Sequence, residues 1–155
     1  RRRAPKLIWL DSGLVNYAAR LQKEVLLSED ILDAWKGHLA EHIVAQELLA
    51  LTNRFGQKRS FWVRQKAGSM AEVDFVWQYD SLLIPIEVKS GHNAYLRSLH
   101  SFVDNSKNCT LAIRVWSQQY SVDEVVSNAG NRFKLLNIPF YLLGFLPKII
   151  EENIG

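Results

Sequence analysis

The sequence predicts an α/β fold of mixed α+β type, a central mixed sheet flanked by helices, and three observations predict it. Residues 37–55 (GHLAEHIVAQELLALTNRF) carry apolar side chains at helical spacing. Strand-like runs then follow one another at Phe61–Lys66, Ala71–Gln78 and Leu82–Lys89, separated by turn residues. Helical spacing returns over residues 94–105, ahead of a further strand-like run, Thr110–Trp116. Meandering strands followed by a helix that crosses to another strand make a mixed sheet.

The elements are justified in order. Lys6–Leu10 is a short apolar run, a strand or the tail of a preceding element, that stops at Asp11-Ser12-Gly13. Leu14, Val15, Tyr17, Ala18, Leu21, Val25 and Leu26 recur at helical spacing, and Ser28-Glu29-Asp30 offers caps for a helix through Ile31, Leu32 and Trp35. In the clearest helix, Ala40, Val44, Glu47, Leu48 and Leu51 form the stripe, with Glu41 and Glu47 on its two flanks. Glu47 is expected on the surface. Leu96, Leu99, Phe102 and Val103 share one face of the later helix. Ser121–Asn131 is ambiguous, Asn137–Leu143 reads as a last strand, and Pro147–Glu152 as a short helix.

A chain of 155 residues is expected to be one domain, with residues 1–36 a helical extension and 37–155 the core. A hydrophobic share of 48% with 17 aromatics belongs to globular rather than disordered proteins. No apolar run reaches the ~20 residues that span a bilayer, so no membrane partner is expected. No signal-peptide core follows RRRAPK. The single cysteine, Cys109, excludes an internal disulfide and, as a small buried hydrophobe, fits a reducing cytoplasm. A net charge of +3 permits phosphate contact without demanding it. The opening RRRAPKLIWLDSGL, without an initiator Met, is expected of a piece of a longer or processed protein.

Strand side chains alternate faces. Val73, Phe75 and Trp77 are expected on one face of their strand, and Asp74 and Val76 on the other. Ile84, Ile86 and Val88 share a face, while Pro85, Glu87 and Lys89 share the opposite one. A turn over residues 79–82 pairs Gln78 with Leu83 and sets Asp74 opposite Glu87. Paired residues have Cβ atoms roughly 5 Å apart. Two carboxylates this close call for a cation, and hard divalent cations prefer carboxylate oxygens. A Mg²⁺ (or Mn²⁺) ion held by Asp74 and Glu87, with the Val88 carbonyl as a further oxygen, would acidify a water and neutralise charge developing on a phosphodiester. Lys89 would orient that water or stabilise the reacting phosphate. Glu41 would reach in from the helix. Glu72, on the Asp74 face, is expected opposite Lys89.

Glu41, Asp74 and Glu87-Val88-Lys89, in that order, resemble the PD-(D/E)XK nuclease core, the restriction-endonuclease-like fold. More narrowly, the segments KLIWLDSGLVNY, GHLAEHIVAQELL, AEVDFVW, IPIEVKSG and IPFYLLGFL are similar to an uncharacterised domain that follows AAA-type ATPase domains in bacteria and archaea. The resemblance implies an acid pair on metal with Lys89 as the catalytic ammonium and Glu41 assisting. It further implies DNA as the substrate and an N-terminal ATPase domain in the same protein. Val73 stands where the superfamily name has a proline. Members that lose catalysis keep the fold, so a DNA- or protein-interaction module with a vestigial site is the alternative.

Other patterns in the chain also admit blander readings. Alternating charged and apolar residues also make any half-exposed strand. Trp62, Arg64 and Lys66 share a strand face that could grip nucleic acid, or merely snorkel at the surface. His38, Glu41 and His42 fit H-x-x-E-H, the inverted zinc-peptidase motif, which needs a further acidic ligand and a larger framework. His92 and His100 read as surface or packing residues. The pattern G-x-x-x-x-G-K-[ST] does not occur, so the chain does not itself hydrolyse ATP by that route.

Overall fold

The computed structural model describes residues 38–52, 60–66, 69–79, 81–89 and 95–154, with Asp11, Gly13, Leu14 and Tyr17 near the start. Near the start, Asp11 Oδ1 accepts hydrogen bonds from the Gly13 and Leu14 amides at 2.5 and 3.1 Å, and Gly13 and Leu14 are helical. The rest of the expected N-terminal helices lies outside the described residues.

The elements run α1 (His38–Thr52), β1 (Ser60–Lys66), β2 (Ser69–Tyr79), β3 (Leu82–Val88), α2 (Arg97–Asn105), β4 (Leu111–Trp116), β5 (Ser121–Val126) and β6 (Arg132–Pro139). A 3-10 helix (Phe140–Phe145) and α3 (Leu146–Asn153) complete the chain. All six strands form one sheet in the order β1-β2-β3-β4-β6-β5. β1, β2 and β3 meander antiparallel. α2 then carries the chain across, so that β4 joins β3 in parallel, β6 joins β4 in parallel, and β5 closes the far edge antiparallel. The fold is α/β with a mixed sheet.

Helices cover both faces of the sheet. On one face, Ala40, Val44 and Leu48 of α1 pack with Phe75, Trp77, Ile84, Ile86, Val88, Ile113 and Val115, joined by Leu143, Leu146 and Ile150 from the C-terminal helices. On the other, Leu99, Phe102 and Val103 of α2 pack with Val73, Val76, Ala112, Phe133 and Leu135. Burial on both faces explains why β3 and β4 read as near-continuous apolar runs. Burying one such Ile or Leu contributes about 1.5–3 kcal/mol, and Ile86, fully buried at 0% exposure, is among the best placed. Glu47 is exposed, as the helix pattern implied.

Three expectations are corrected. The β2–β3 pairing runs through Gln78↔Leu83 to Tyr79↔Leu82, so the turn is two residues shorter than a loop over 79–82. Val73 sits with Val76, on the face opposite Phe75 and Trp77. The cause is a register shift: Ser60 pairs with Val76 but Trp62 pairs with Val73, which leaves an extra residue in β2. Finally, the last strand starts at Arg132 and stops at Pro139, and Phe140–Phe145 forms the 3-10 helix rather than more strand. Among the described residues, no helix is long and apolar enough to cross a membrane.

Candidate active site

The expected hairpin register holds from Tyr79↔Leu82 through Gln78↔Leu83 to Phe75↔Ile86, one residue short of the expected pair Asp74 and Glu87. Phe75↔Ile86 is the last pair of that ladder. The bulge of β2 lies between Val73 and Val76 in its pairing with β1, while β3 continues along β4. Bulges of this kind re-aim a side chain, and here Asp74 Oδ2 accepts a hydrogen bond from the Val88 amide at 2.8 Å. The Asp74 carboxylate therefore lies against the peptide that joins Glu87 to Val88.

Glu87 is buried at 6% exposure, between the buried Ile86 and Val88 of its own strand. A buried carboxylate needs a partner of opposite charge. Lys89 Nζ supplies it, donating to Glu87 Oε1 at 2.7 Å. The Lys89 backbone is fixed in turn by an N–H bond to the Val115 carbonyl at 2.8 Å. This arrangement corrects one expectation: Lys89 pairs with Glu87 on its own strand, not with Glu72 across the hairpin. Glu72 lies beyond the last β2–β3 pair, Phe75↔Ile86, and has Val63 as its partner on the β1 side.

Glu41 stands half-buried in the first turn of α1, the helix that packs over Ile86 and Val88. Arg64 and Lys66 lie on β1, an edge strand, opposite Ala71 and Ser69; their side chains are outside the described residues. So is the side chain of His38, whereas His42 is buried at 6% exposure. Among the described residues, no group of three or more His, Cys, Asp or Glu side chains is arranged to hold a metal ion. The acid site rests on the pair Asp74 and Glu87, a complement sufficient for Mg²⁺, which keeps several waters and uses one or two carboxylates.

Sequence reasoning missed what lies beside Glu87. Its register partner on β4 is Arg114, and the partner of Arg114 on β6 is Asn137. Arg114 Nε donates to Asn137 Oδ1 at 2.7 Å, and Asn137 Nδ2 donates to Ser121 Oγ at 2.9 Å and Asp123 Oδ2 at 2.6 Å. Burial pushes the Arg114 guanidinium below its ordinary pKa, and the nearby Asp123 charge pushes back. A polar row thus crosses the sheet from β3 to β5. The available signal was a lone Arg in LAIRVW and a lone Asn in LLNIP, polar residues inside otherwise apolar strands. Cys109 is half-buried; desolvation pushes its thiol up to about 11, the Leu111 backbone pulling weakly the other way, and the thiol donates to the Leu111 carbonyl at 3.5 Å.

A family model described as Domain of unknown function (DUF4143) matches residues 36–141, more than half of the chain. The chain belongs to the DUF4143 family. No curated protein matches it. Glu41, Asp74, Glu87, Lys89 and Arg114 all fall inside the matched DUF4143 segment, and α3 lies beyond it.

Proposed function

We propose that this DUF4143 domain is a metal-dependent nuclease acting on DNA. The observation that carries the reading is the 2.8 Å bond from the Val88 amide to Asp74 Oδ2, which holds one acid against the backbone of the other. The donor set suits a hard divalent cation such as Mg²⁺ or Mn²⁺: Asp74 and Glu87 offer only carboxylate oxygens. Bound there, the ion would lower the pKa of a water and offset charge on the phosphate. Asp74 and Glu87 hold the ion. Lys89, already within 2.7 Å of Glu87, turns its ammonium from that carboxylate toward the water or the phosphate oxygens. Arg64 and Lys66 on the edge strand contact the nucleic-acid backbone, while Glu41, on the helix that covers the Ile86 face rather than the Glu87 face, stays outside the ion site. The element order helix, three strands, helix, strand supports a restriction-endonuclease-like core. An N-terminal AAA-type ATPase of the same protein, in the cytoplasm, is the partner this reading proposes.

The test is cleavage of supercoiled and branched DNA with Mg²⁺ or Mn²⁺ by wild type, Asp74→Asn and Glu87→Gln. Wild type cleaves and both variants fall by at least ~100-fold, the scale of a lost charge-stabilising group. Cleavage that survives both substitutions defeats the assignment.

One observation favours a second reading. Glu87 and Lys89 form a mutual ion pair in a buried setting, which also suits a non-catalytic module that binds DNA or protein and reports to the ATPase. That module predicts salt-dependent binding with no turnover and no heat of Mg²⁺ binding.

A further inference from the structure

The parallel strands β4 and β6 end beside a cleft of about 590 Å³ lined by Trp116, Ser117, Gln119, Tyr120, Ser121 and Tyr141. Its size is that of an ordinary ligand site. Tyr141 is 77% exposed and Tyr120 40% exposed, large rings left in water at the mouth of a concave surface. The third ring is fixed in place. Trp116 Nε1 donates to the Gln119 carbonyl at 3.2 Å, and the Arg114 guanidinium carbon lies 3.8 Å from the Trp116 ring centroid. Arg114 is itself only 6% exposed and is held by Asn137, which also binds the cleft residue Ser121. A buried cation thus stacks behind one aromatic wall, and the network that fixes it reaches a second wall. The Trp116 wall is fixed before any ligand arrives, which lowers the ordering cost of stacking on it.

We infer that this cleft binds a single-stranded segment of nucleic acid, its bases stacking on Trp116, Tyr120 and Tyr141, with Arg114 as a positioning residue. Aromatic faces take any base but need it unpaired; a duplex hides its base faces. Location favours the same ligand. Arg114 is the register partner of Glu87, and neighbouring strands lie about 4.8 Å apart. The cleft therefore begins roughly 5 to 10 Å from Glu87 across the sheet, a span of only a few nucleotides. The inference rests on the nuclease reading, because it places the held strand on the way to Asp74 and Glu87.

The experiment is fluorescence anisotropy of a labelled oligonucleotide of about 15 residues, with the full chain in EDTA. Single strand binds about tenfold tighter than duplex of equal length, and Tyr141→Ala and Tyr120→Ala each weaken it about fivefold or more. Tyr141→Phe, which keeps the ring, binds as wild type. Leu83→Ala, exposed at the hairpin end, also leaves binding unchanged. Duplex binding as tight as single strand, or Tyr→Ala variants that bind like wild type, would overturn the inference. Ring-dependent binding in a chain that shows no metal-dependent cleavage leaves the inference standing and removes the nuclease reading. Cleavage combined with ring-indifferent binding removes the inference alone.

Discussion

Asp74 and Val88 are joined by a side chain doing the work of a backbone rung: Asp74 Oδ2 accepts the Val88 amide hydrogen at 2.8 Å, one step past the last β2–β3 pair, Phe75↔Ile86. The acid that β2 contributes is thereby indexed to the strand that carries Glu87 and Lys89.

This bond separates stability from chemistry at Asp74. Asp74→Ala leaves the buried Val88 amide without its acceptor and costs about 1–3 kcal/mol. Asp74→Asn retains an acceptor oxygen and costs well under that, yet loses the charge a cation needs. Urea midpoints should shift for the alanine variant and hardly move for the asparagine one, while cleavage disappears in both. Full activity in Asp74→Asn contradicts the metal role.

Lys89→Ala removes the ammonium from a carboxylate that is 6% exposed. The Lys89 side chain is 25% exposed, so solvent screens part of the loss, and about 1–3 kcal/mol is expected rather than the full cost of breaking a deeply buried pair. Mg²⁺ should then raise the melting temperature of Lys89→Ala more than that of wild type, since the ion no longer competes with an ammonium for Glu87. Equal shifts in thermal scans with and without Mg²⁺ count against a cation site at Glu87.

Asp104 ties α2 to the β5–β6 turn. It accepts from the Ser127 hydroxyl, from the Ala129 amide at 3.2 Å and from Asn131 Nδ2 at 3.0 Å. Burial pushes its pKa up, but the Ser127, Asn131 and Ala129 bonds and the His100 charge outweigh that, and the carboxyl titrates below its ordinary 3.8. A carboxyl with a depressed folded-state pKa binds fewer protons folded than unfolded. Its contribution is therefore complete above pH 3.8 and fades as pH falls through the folded value. Asp104→Asn should lower stability at pH 7 and cost progressively less as pH falls below 3.8, read by denaturant melts across that range. A difference that stays constant down the acid range refutes the linkage.

The Cys109 thiol titrates the opposite way. Desolvation raises it from 9.0 to about 11, so the folded chain holds the proton over that interval and the unfolded chain releases it. Stability should decline as pH climbs from 9 toward 11, and Cys109→Ala should flatten the decline. At pH 8 the native thiol should react with a disulfide reagent far more slowly than the urea-unfolded chain. Rapid labelling of the native chain excludes the raised pKa.

Much of the sheet was legible because alternation is a strong signal where each strand face is buried. The Gln78↔Leu83 register, and with it the approach of Asp74 to Glu87, followed from AEVDFVWQ and LLIPIEVK alone. The bulge did not follow, since no Gly or Pro marks it in that run and it shows only in the pairing with β1. Phe140–Phe145 misled because a short apolar run fits strand and helix equally, and packing on α1 decided it. Arg114 escaped notice for a related reason. Its meaning depends on Glu87 and Asn137, which adjoin it only once β3, β4 and β6 are side by side.

β3 serves two masters with alternate residues: Ile84, Ile86 and Val88 anchor it in the oil under α1, while Glu87 meets Lys89 on the reverse side. A slip of a single residue would drive a carboxylate into that oil and an isoleucine out of it. The strand is consequently locked lengthwise, and the spacing of the acids inherits the rigidity of the interior. Through its bond to the Val88 amide, Asp74 on the bulged stretch of β2 is tethered to that same frame.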